Sequence, residues 1–187
     1  MLIMGKVIFY YMNLSMSNNQ LINDLHSIYP ELPINIHKIK GYSDDEIKKI
    51  ERLYDIKVAG QLYDFLNCMG RCSGGFFCDY SLLFYRYNFS VRGHVQFQIG
   101  TRNDLCNIKQ FNLIKKKPFF ISIESETQYL FLLTDSDNPN QVYHYDENEE
   151  IVKETEWTLY QYLKKLINTE TRKCVKKHCV TGELINI

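Results

Sequence analysis

Apolar residues recur at the three- and four-residue spacing of an α-helix in four parts of the chain. The clearest start signal is Ser43, which Glu46 follows three residues later, so the pair predicts a capping box at a helix N-terminus. Pro30 and Pro33 are expected to end the first helix, and Gly70 to end the third. The predicted helices run from about Asn18 to Tyr29, Ser43 to Arg52, Gln61 to Met69 and Thr158 to Ile167.

Shorter aromatic or alternating runs predict strands between the third and the last helix. The polar stretch 124–128 separates two of these runs and predicts a hairpin turn. The stretch Val91–Ile108 fits both a strand and a helix, because His94–Ile99 alternates while the apolar residues also follow helical spacing; we favour the helix. The predicted strands are Tyr80–Tyr87, Phe119–Ile123, Tyr129–Leu133, Gln141–Asp146 and a short one at Ile151–Val152.

The order of these elements predicts a fold of the α+β class. Helices come first, then a run of hairpin-linked strands, then a closing helix, and this is not an alternating βαβ pattern. We therefore expect a mostly antiparallel or mixed sheet with helices packed largely on one face. The chain has 187 residues, 45% of them hydrophobic, and neither a repeat nor a flexible linker divides it. We predict a single domain over residues 1–187.

Charge and missing motifs argue against several function classes. The 22 Lys and Arg residues equal the 22 Asp and Glu residues, so the chain lacks the basic surplus of a general nucleic-acid binder. No phosphate-binding glycine loop or nucleophile elbow is present, and we expect neither enzyme activity nor a cofactor. The apolar run Val7–Met12 is too short for a signal peptide or a membrane span, which predicts a cytoplasmic protein.

Two clusters could bind a metal ion, but each departs from the pattern that binding requires. Cys68, Cys72 and Cys78 have one spacing of the zinc type, and no matching second pair follows them. The acidic turn after Asp135 begins like a calcium loop, yet Asn140 stands where that loop requires Gly. We predict reduced thiols, a polar turn and no metal site.

Carboxylates bracket the predicted strand Gln141–Asp146 and form the most distinctive charge feature. Such groups can steer a basic partner protein. Tyr143 and Tyr145 share one face of the strand between them, and tyrosine is typical of binding hot spots. The alternative is an ordinary solvated turn, with a partner that docks elsewhere, for example on the helical hairpin. We call the six carboxylates the acidic rim: Asp135, Asp137, Asp146, Glu147, Glu149 and Glu150.

Several short patterns follow one another along the chain in a fixed order. They are Gly41-Tyr42-Ser43, Ile47, Glu51, Ile56, Tyr63-Asp64-Phe65-Leu66, Gly70, Tyr129-Leu130-Phe131, Asn138-Pro139, Val142-Tyr143-His144-Tyr145, and Thr158-Leu159 through Tyr162-Leu163. In this order and spacing they resemble the SUKH superfamily, which includes bacterial immunity proteins and a fungal regulator of cell-wall glucan synthesis. The chain departs from the family at Val58-Ala59, where Leu-Pro is usual.

The resemblance implies a SUKH-like core at about 41–167, with a helical extension at 1–40 and a polar, basic C-terminal tail at 168–187. It implies architectural roles for Gly41, Glu51, Phe65 and Trp157. The family has no catalytic residues to carry over.

The resemblance also implies a function. The chain is expected to be an immunity protein of a polymorphic toxin system, a toxin–antitoxin pair in which it binds a cognate toxin, for example a nuclease, and blocks its active site. It would contact neither nucleic acid nor a membrane, and its predicted binding residues are the acidic rim with Tyr143 and Tyr145. The alternatives are a non-catalytic regulatory scaffold of cell-wall or signalling proteins, and a hydrolase or metal enzyme without a visible motif.

Overall fold

The computed structural model describes residues 18–77, 82–86, 89–169 and 182–185. Its helices are α1 (Asn18–His26), α2 (Asp44–Tyr54), α3 (Gly60–Met69), α4 (Val91–Asn107), α5 (Phe111–Ile114) and α6 (Leu159–Thr169), with 3₁₀ turns at Ile36–Lys38 and Leu83–Tyr85. Its strands are β1 (Ile39–Lys40), β2 (Cys72–Ser73), β3 (Pro118–Ser125), β4 (Gln128–Leu133), β5 (Gln141–Asp146) and β6 (Ile151–Thr158).

The main sheet is an antiparallel meander in which β3, β4, β5 and β6 are neighbours in chain order. The register pairs Phe119 with Leu132 and Leu130 with His144. The predicted hairpin is therefore confirmed, while the predicted two-residue strand at Ile151–Val152 is longer and has 8 residues. Strands β1 and β2 form a separate antiparallel pair.

Side-chain alternation along the strands divides the interior into two clusters. Phe119 and Leu130 face the larger cluster, which also contains buried residues of α1, α2, α3 and α6. Phe120 and Phe131 face the smaller cluster, to which α4 contributes Leu105. The predicted α+β fold is thus confirmed. Four of these helices pack against one face of the sheet, while α4 and α5 lie against the other.

Helix α2 begins at the predicted capping box. Ser43 accepts a hydrogen bond from the backbone N–H of Glu46 through its Oγ, and Glu46 Oε2 accepts one from the Ser43 N–H at 2.8 Å. Together they satisfy two N–H groups that a helix N-terminus leaves without intrahelical partners. The ambiguous stretch from Val91 is also helical, as favoured, and Ser90 caps it by accepting from the Gly93 N–H.

The predicted strand Tyr80–Tyr87 is wrong in its described part. Leu82 makes one isolated bridge to Ser122, and Leu83–Tyr85 then turn as a 3₁₀ helix. Residues 82–85 are all buried, so their side chains point in several directions into the core and do not alternate between a buried and an exposed face. Positions 80, 81 and 87 lie outside the described residues.

Three residues with expected architectural roles contact their neighbours accordingly. A Cβ on Gly41 would overlap the carbonyl oxygen of Asn67, so only glycine fits between β1 and α3. Glu51 Oε1 accepts a 2.7 Å hydrogen bond from the Val58 N–H and ties the end of α2 to the next loop. Phe65 is fully buried.

The short segment Gly182–Ile185 closes the larger core. Leu184 and Ile185 are buried there. The Leu184 N–H donates to the hydroxyl of Tyr42 at 2.9 Å, and the Leu184 carbonyl accepts from the hydroxyl of Tyr54 at 2.8 Å. The expectation of a polar, basic tail after residue 168 therefore misses this apolar segment, which docks because its few apolar residues complete the interior.

Candidate partner-binding surface

The acidic rim is split between the two ends of the sheet. Asp135 and Asp137 lie in the turn from β4 to β5, whereas Asp146 ends β5 and the three glutamates follow it before β6 begins. Strand β5 separates them by about 17 Å, from the rise of about 3.4 Å per residue. The six carboxylates therefore form two separate groups with different surroundings.

At the first end, lysines pair with the carboxylates. Lys57 Nζ lies 2.6 Å from Asp135 Oδ1, and Lys117 Nζ lies 2.7 Å from Asp55 Oδ1. The hydrogen bond from Lys117 holds the pKa of Asp55 below its usual value. We call these four residues the paired end. Asp137 next to them is exposed. Because Asp135 is paired with Lys57, its negative charge is largely compensated and attracts a partner protein only weakly.

At the second end, two hairpin turns lie side by side. The Glu147 N–H donates to the Thr127 carbonyl at 2.9 Å, and Asn148 Nδ2 donates to Thr127 Oγ1 at 2.8 Å. The Tyr129 hydroxyl donates to Glu147 Oε2 at 2.9 Å and to the carbonyl of Glu126 at 2.7 Å. These bonds lock the β5–β6 turn against the β3–β4 turn and fix the position of its carboxylates.

The main role of Asp146 is to hold the β5–β6 turn in place through hydrogen bonds, and its own charge is only partly exposed. Its Oδ1 accepts hydrogen bonds from the N–H groups of Asn148 at 3.0 Å and Glu149 at 3.1 Å. A hydrogen bond from the Gln128 side chain is the main reason why the pKa of Asp146 is lowered. The carboxylate is held ionised and organises the tight turn through which Glu149 and Glu150 reach solvent.

Charge at the second end lacks compensation within the described part of the chain. No Lys, Arg or His there forms an ion pair with the rim carboxylates of this end. Asp104 on α4 adds to them: burial raises its pKa first, and the nearby charge of Glu147 raises it further. We call Glu126, Asp146, Glu147, Glu149 and Glu150 the carboxylate end.

The two predicted tyrosine anchors differ in exposure. Tyr143 is half-buried and stacks on Phe131 with ring centroids 5.6 Å apart. Tyr145 is only 1% exposed and stacks on Tyr129 at 6.0 Å. The ring of Tyr145 belongs to the smaller core and is not at the surface for a partner to contact, because α4 covers this part of the face. Only Tyr143 keeps an exposed part.

A groove that the sequence did not reveal lies on the opposite face of the sheet. It encloses about 470 Å³ and is lined by Glu124, Leu130, His144, Lys153, Glu154, Thr155, Glu156 and Trp157. Lys165 of α6 contacts two of these residues, with its Nζ 3.9 Å from the centre of the Trp157 ring and 3.2 Å from Glu124 Oε1. The lining residues come from four strands, and only the alternation of Lys153, Thr155 and Trp157 along β6 could have indicated a shared face.

The geometry around Cys68 and Cys72 does not support a zinc site at these cysteines. Cys68 and Cys72 are buried free thiols, and Cys78 lies outside the described residues. Burial raises the pKa of Cys68 to about 11, which keeps this thiol protonated at neutral pH. In the described ranges no three His, Cys, Asp or Glu side chains are grouped as a metal site would require.

Comparisons with family models, with characterised proteins and with solved structures gave no significant match. None of the described helices is long and apolar enough to cross a bilayer.

Proposed function

We propose that this chain is an immunity protein of the SUKH type, which binds a cognate protein toxin and blocks its active site without performing catalysis itself. The SUKH-like order of patterns between Gly41 and Ile167 supports the proposal, and the α+β fold is compatible with it. The observation that carries the binding role is the carboxylate end, where two locked turns hold acidic side chains that lack cationic partners in the described chain.

The chemistry of this end favours a basic partner surface. A nuclease must bind a polyanionic substrate and therefore lines its cleft with Lys and Arg. Carboxylates held on a rigid hairpin can occupy such a cleft in place of phosphates. Glu126, Glu147, Glu149 and Glu150 are the exposed members that can reach a partner, and Asp146 organises the turn that carries the last three.

The strength of binding follows from the role. An inhibitor that acts only by occupancy needs nanomolar affinity or better, about −12 kcal/mol. Long-range attraction between the carboxylate end and a basic cleft would raise the association rate, and this gain should fall as salt is added. Tyr143, which is half-buried beside Phe131, is the aromatic residue best placed to slow dissociation.

The first test is protection. The product of the neighbouring open reading frame is taken as the candidate toxin and expressed in a bacterial host with and without the chain, and growth is measured. We expect growth to be restored, and a purified complex of one toxin with one chain. Continued growth arrest despite abundant soluble chain would overturn the immunity role, whereas recovery of several moderate-affinity partners and no protection would favour the regulatory scaffold.

The second test compares the two ends of the sheet with matched changes. One variant carries Glu147→Lys and Glu149→Lys at the carboxylate end. The control carries Asp135→Lys, within the paired end, and Asp137→Lys next to it. Stopped-flow association with the toxin at low salt should be at least about tenfold slower for the first variant, with a flatter salt dependence, and within about twofold of wild type for the control. Equal rates for both variants would remove the carboxylate end as the interface.

A further inference from the structure

The two outer edges of the main sheet are treated differently. The edge of β3 is covered by side chains and one bridge. Gln98 on α4 accepts from the Phe120 N–H at 2.9 Å and donates to the Phe120 carbonyl at 2.7 Å, while Arg102 Nε donates to the Pro118 carbonyl at 2.8 Å. The bridge from Leu82 covers the next position, Ser122. This edge has no room for another strand.

The edge of β6 lies open over residues 151–154 in the described chain, where β5 is its sole strand partner. Ile151 is 40% exposed there. Further along, the N–H groups of Trp157 and Thr158 bond to the side chains of Thr155 and Gln161. Residues 151–154 pair one-for-one with β5, and a bulge opposite Gln141–Tyr143 then interrupts the register. An open edge with a regular stretch is a template for strand addition.

The groove of about 470 Å³ lies directly beside this open edge. His144 pairs across β5–β6 with Lys153, so both side chains point to the groove face. A strand added to β6 would run about 4.8 Å from it and place every second side chain on the same face as Lys153 and Trp157. Recognition by strand addition combines such backbone pairing with a neighbouring pocket for alternate side chains.

The negative charge near this edge indicates which kind of segment could bind there. The hairpin from Gln141 to Thr158 carries six carboxylates and one lysine, Lys153. Glu154 and Glu156 are exposed along the open edge, and neither forms an ion pair within the described residues. A second copy of the chain fits poorly, because it would bring a hairpin of the same net negative charge against this one.

We infer that β6 binds an extended, basic segment of a partner protein by strand addition. The partner's backbone pairs with residues 151–154. Its Lys or Arg side chains meet Glu154 and Glu156, and one apolar side chain enters the groove over Leu130. This interaction does not depend on whether the partner is a toxin, because edge geometry and charge define it.

The test uses a synthetic acetylated peptide of about eight residues in which Lys and Val alternate, since this is the length of an ordinary strand. One control peptide alternates Glu and Val, and a second keeps the Lys-Val sequence but carries N-methyl groups on alternate amides, which block pairing along one edge. Binding is followed by NMR shifts and by hydrogen exchange of the amides of 151–158. We expect the Lys-Val peptide alone to bind and to protect those amides of 151–154 that point away from β5.

Two protein variants complete the experiment. Glu154→Lys with Glu156→Lys should weaken binding of the Lys-Val peptide at least about tenfold, while the matched reversal of two exposed acids elsewhere, Glu31→Lys with Asp45→Lys, should change it by less than about twofold. The inference is overturned by absence of binding at about 1 mM peptide, by equal binding of the N-methylated peptide, or by a concentration-dependent dimer that protects β6 without peptide. Toxin protection is scored separately, so loss of this site and loss of the immunity role can be told apart.

Discussion

Each outer strand of the main sheet has backbone N–H and C=O groups without a neighbouring strand. These groups are covered at β3 and left open at β6. At β3 the strand's free backbone groups are satisfied by two polar side chains of α4, the buried Gln98 and the half-buried Arg102. At β6 exposed charges line an edge that pairs with no further strand among the described residues. The comparison explains why the stretch Val91–Ile108 is hard to interpret from its pattern: His94, Gln98 and Thr101 are buried polar residues on the face where a surface helix normally places apolar ones.

The largest effect should come from Gln98→Ala at the covered edge. The change leaves the buried N–H and carbonyl of Phe120 without their partner, and each such group costs about 1–3 kcal/mol, so the free energy of unfolding should fall by about 3 kcal/mol. Urea denaturation measures the loss. Gln98→Met, which keeps the volume but not the hydrogen bonds, should lose nearly as much, and exposed Gln96→Ala should lose under about 0.5 kcal/mol. A small loss for Gln98→Met would mean that packing, not the edge, explains the role of Gln98.

The next effect depends on pH and comes from His94 on the same helix. His94 is 2% exposed, and its Nε2 has no hydrogen-bond partner in the described chain. Burial lowers its pKa from 6.5 to about 4. Because the unfolded chain takes up this proton more readily, the stability contribution is complete above pH 6.5 and is lost as pH falls toward 4.

Between pH 7.5 and pH 5 the wild type should therefore lose about 2 kcal/mol through this residue. Denaturation curves at the two pH values measure the loss for wild type, for His94→Leu and for His37→Leu, which changes an exposed histidine. His94→Leu should remove about 2 kcal/mol of the pH-dependent loss, and His37→Leu should leave it unchanged. The same pH dependence in all three proteins would show that His94 is not buried neutral.

A smaller effect is expected for Arg102→Met. The variant loses the bond from Nε to the Pro118 carbonyl at 2.8 Å but keeps most of the apolar stem, so we expect a loss of about 1–2 kcal/mol in denaturation midpoint analysis. Arg92→Met, an exposed change near the start of the same helix, serves as the control and should be neutral. If the two variants were equally stable, Arg102 would not contribute to covering the β3 edge.

The smallest effect belongs to the open edge. Glu154→Lys with Glu156→Lys should change the free energy of unfolding by less than about 0.5 kcal/mol, because both side chains are solvated and lack ion-pair partners in the described part of the chain. The same denaturation assay checks this. A loss comparable to that of Gln98→Ala would remove the contrast between the two edges.

Local signals predicted the helices and hairpins well. The capping box of Ser43 and Glu46 depends on residues three positions apart. Strands β3 and β4 are apolar runs separated by a polar turn, and β5 alternates, so each has a signal within a few residues. The α+β fold could therefore be predicted. The surroundings of the acidic rim could not, because Lys57 and its partner Asp135 lie 78 positions apart. The burial of Tyr145 likewise could not be predicted. It depends on α4 packing against the sheet face of the smaller cluster, and the residues near Tyr145 in the sequence give no signal for this contact.

The contact between Tyr42 and Leu184 spans 142 positions and has a consequence for synthesis of the protein. Helices α2 and α3 leave the ribosome long before residues 182–185 are synthesised. Until then the hydroxyls of Tyr42 and Tyr54 lack their hydrogen bonds to Leu184, and the core is incomplete. During that interval the helical layer exposes apolar surface that Leu184 and Ile185 will cover, a state in which chaperones can bind. A translation pause before this segment would extend the vulnerable interval, whereas its release lets the core close in a single late step.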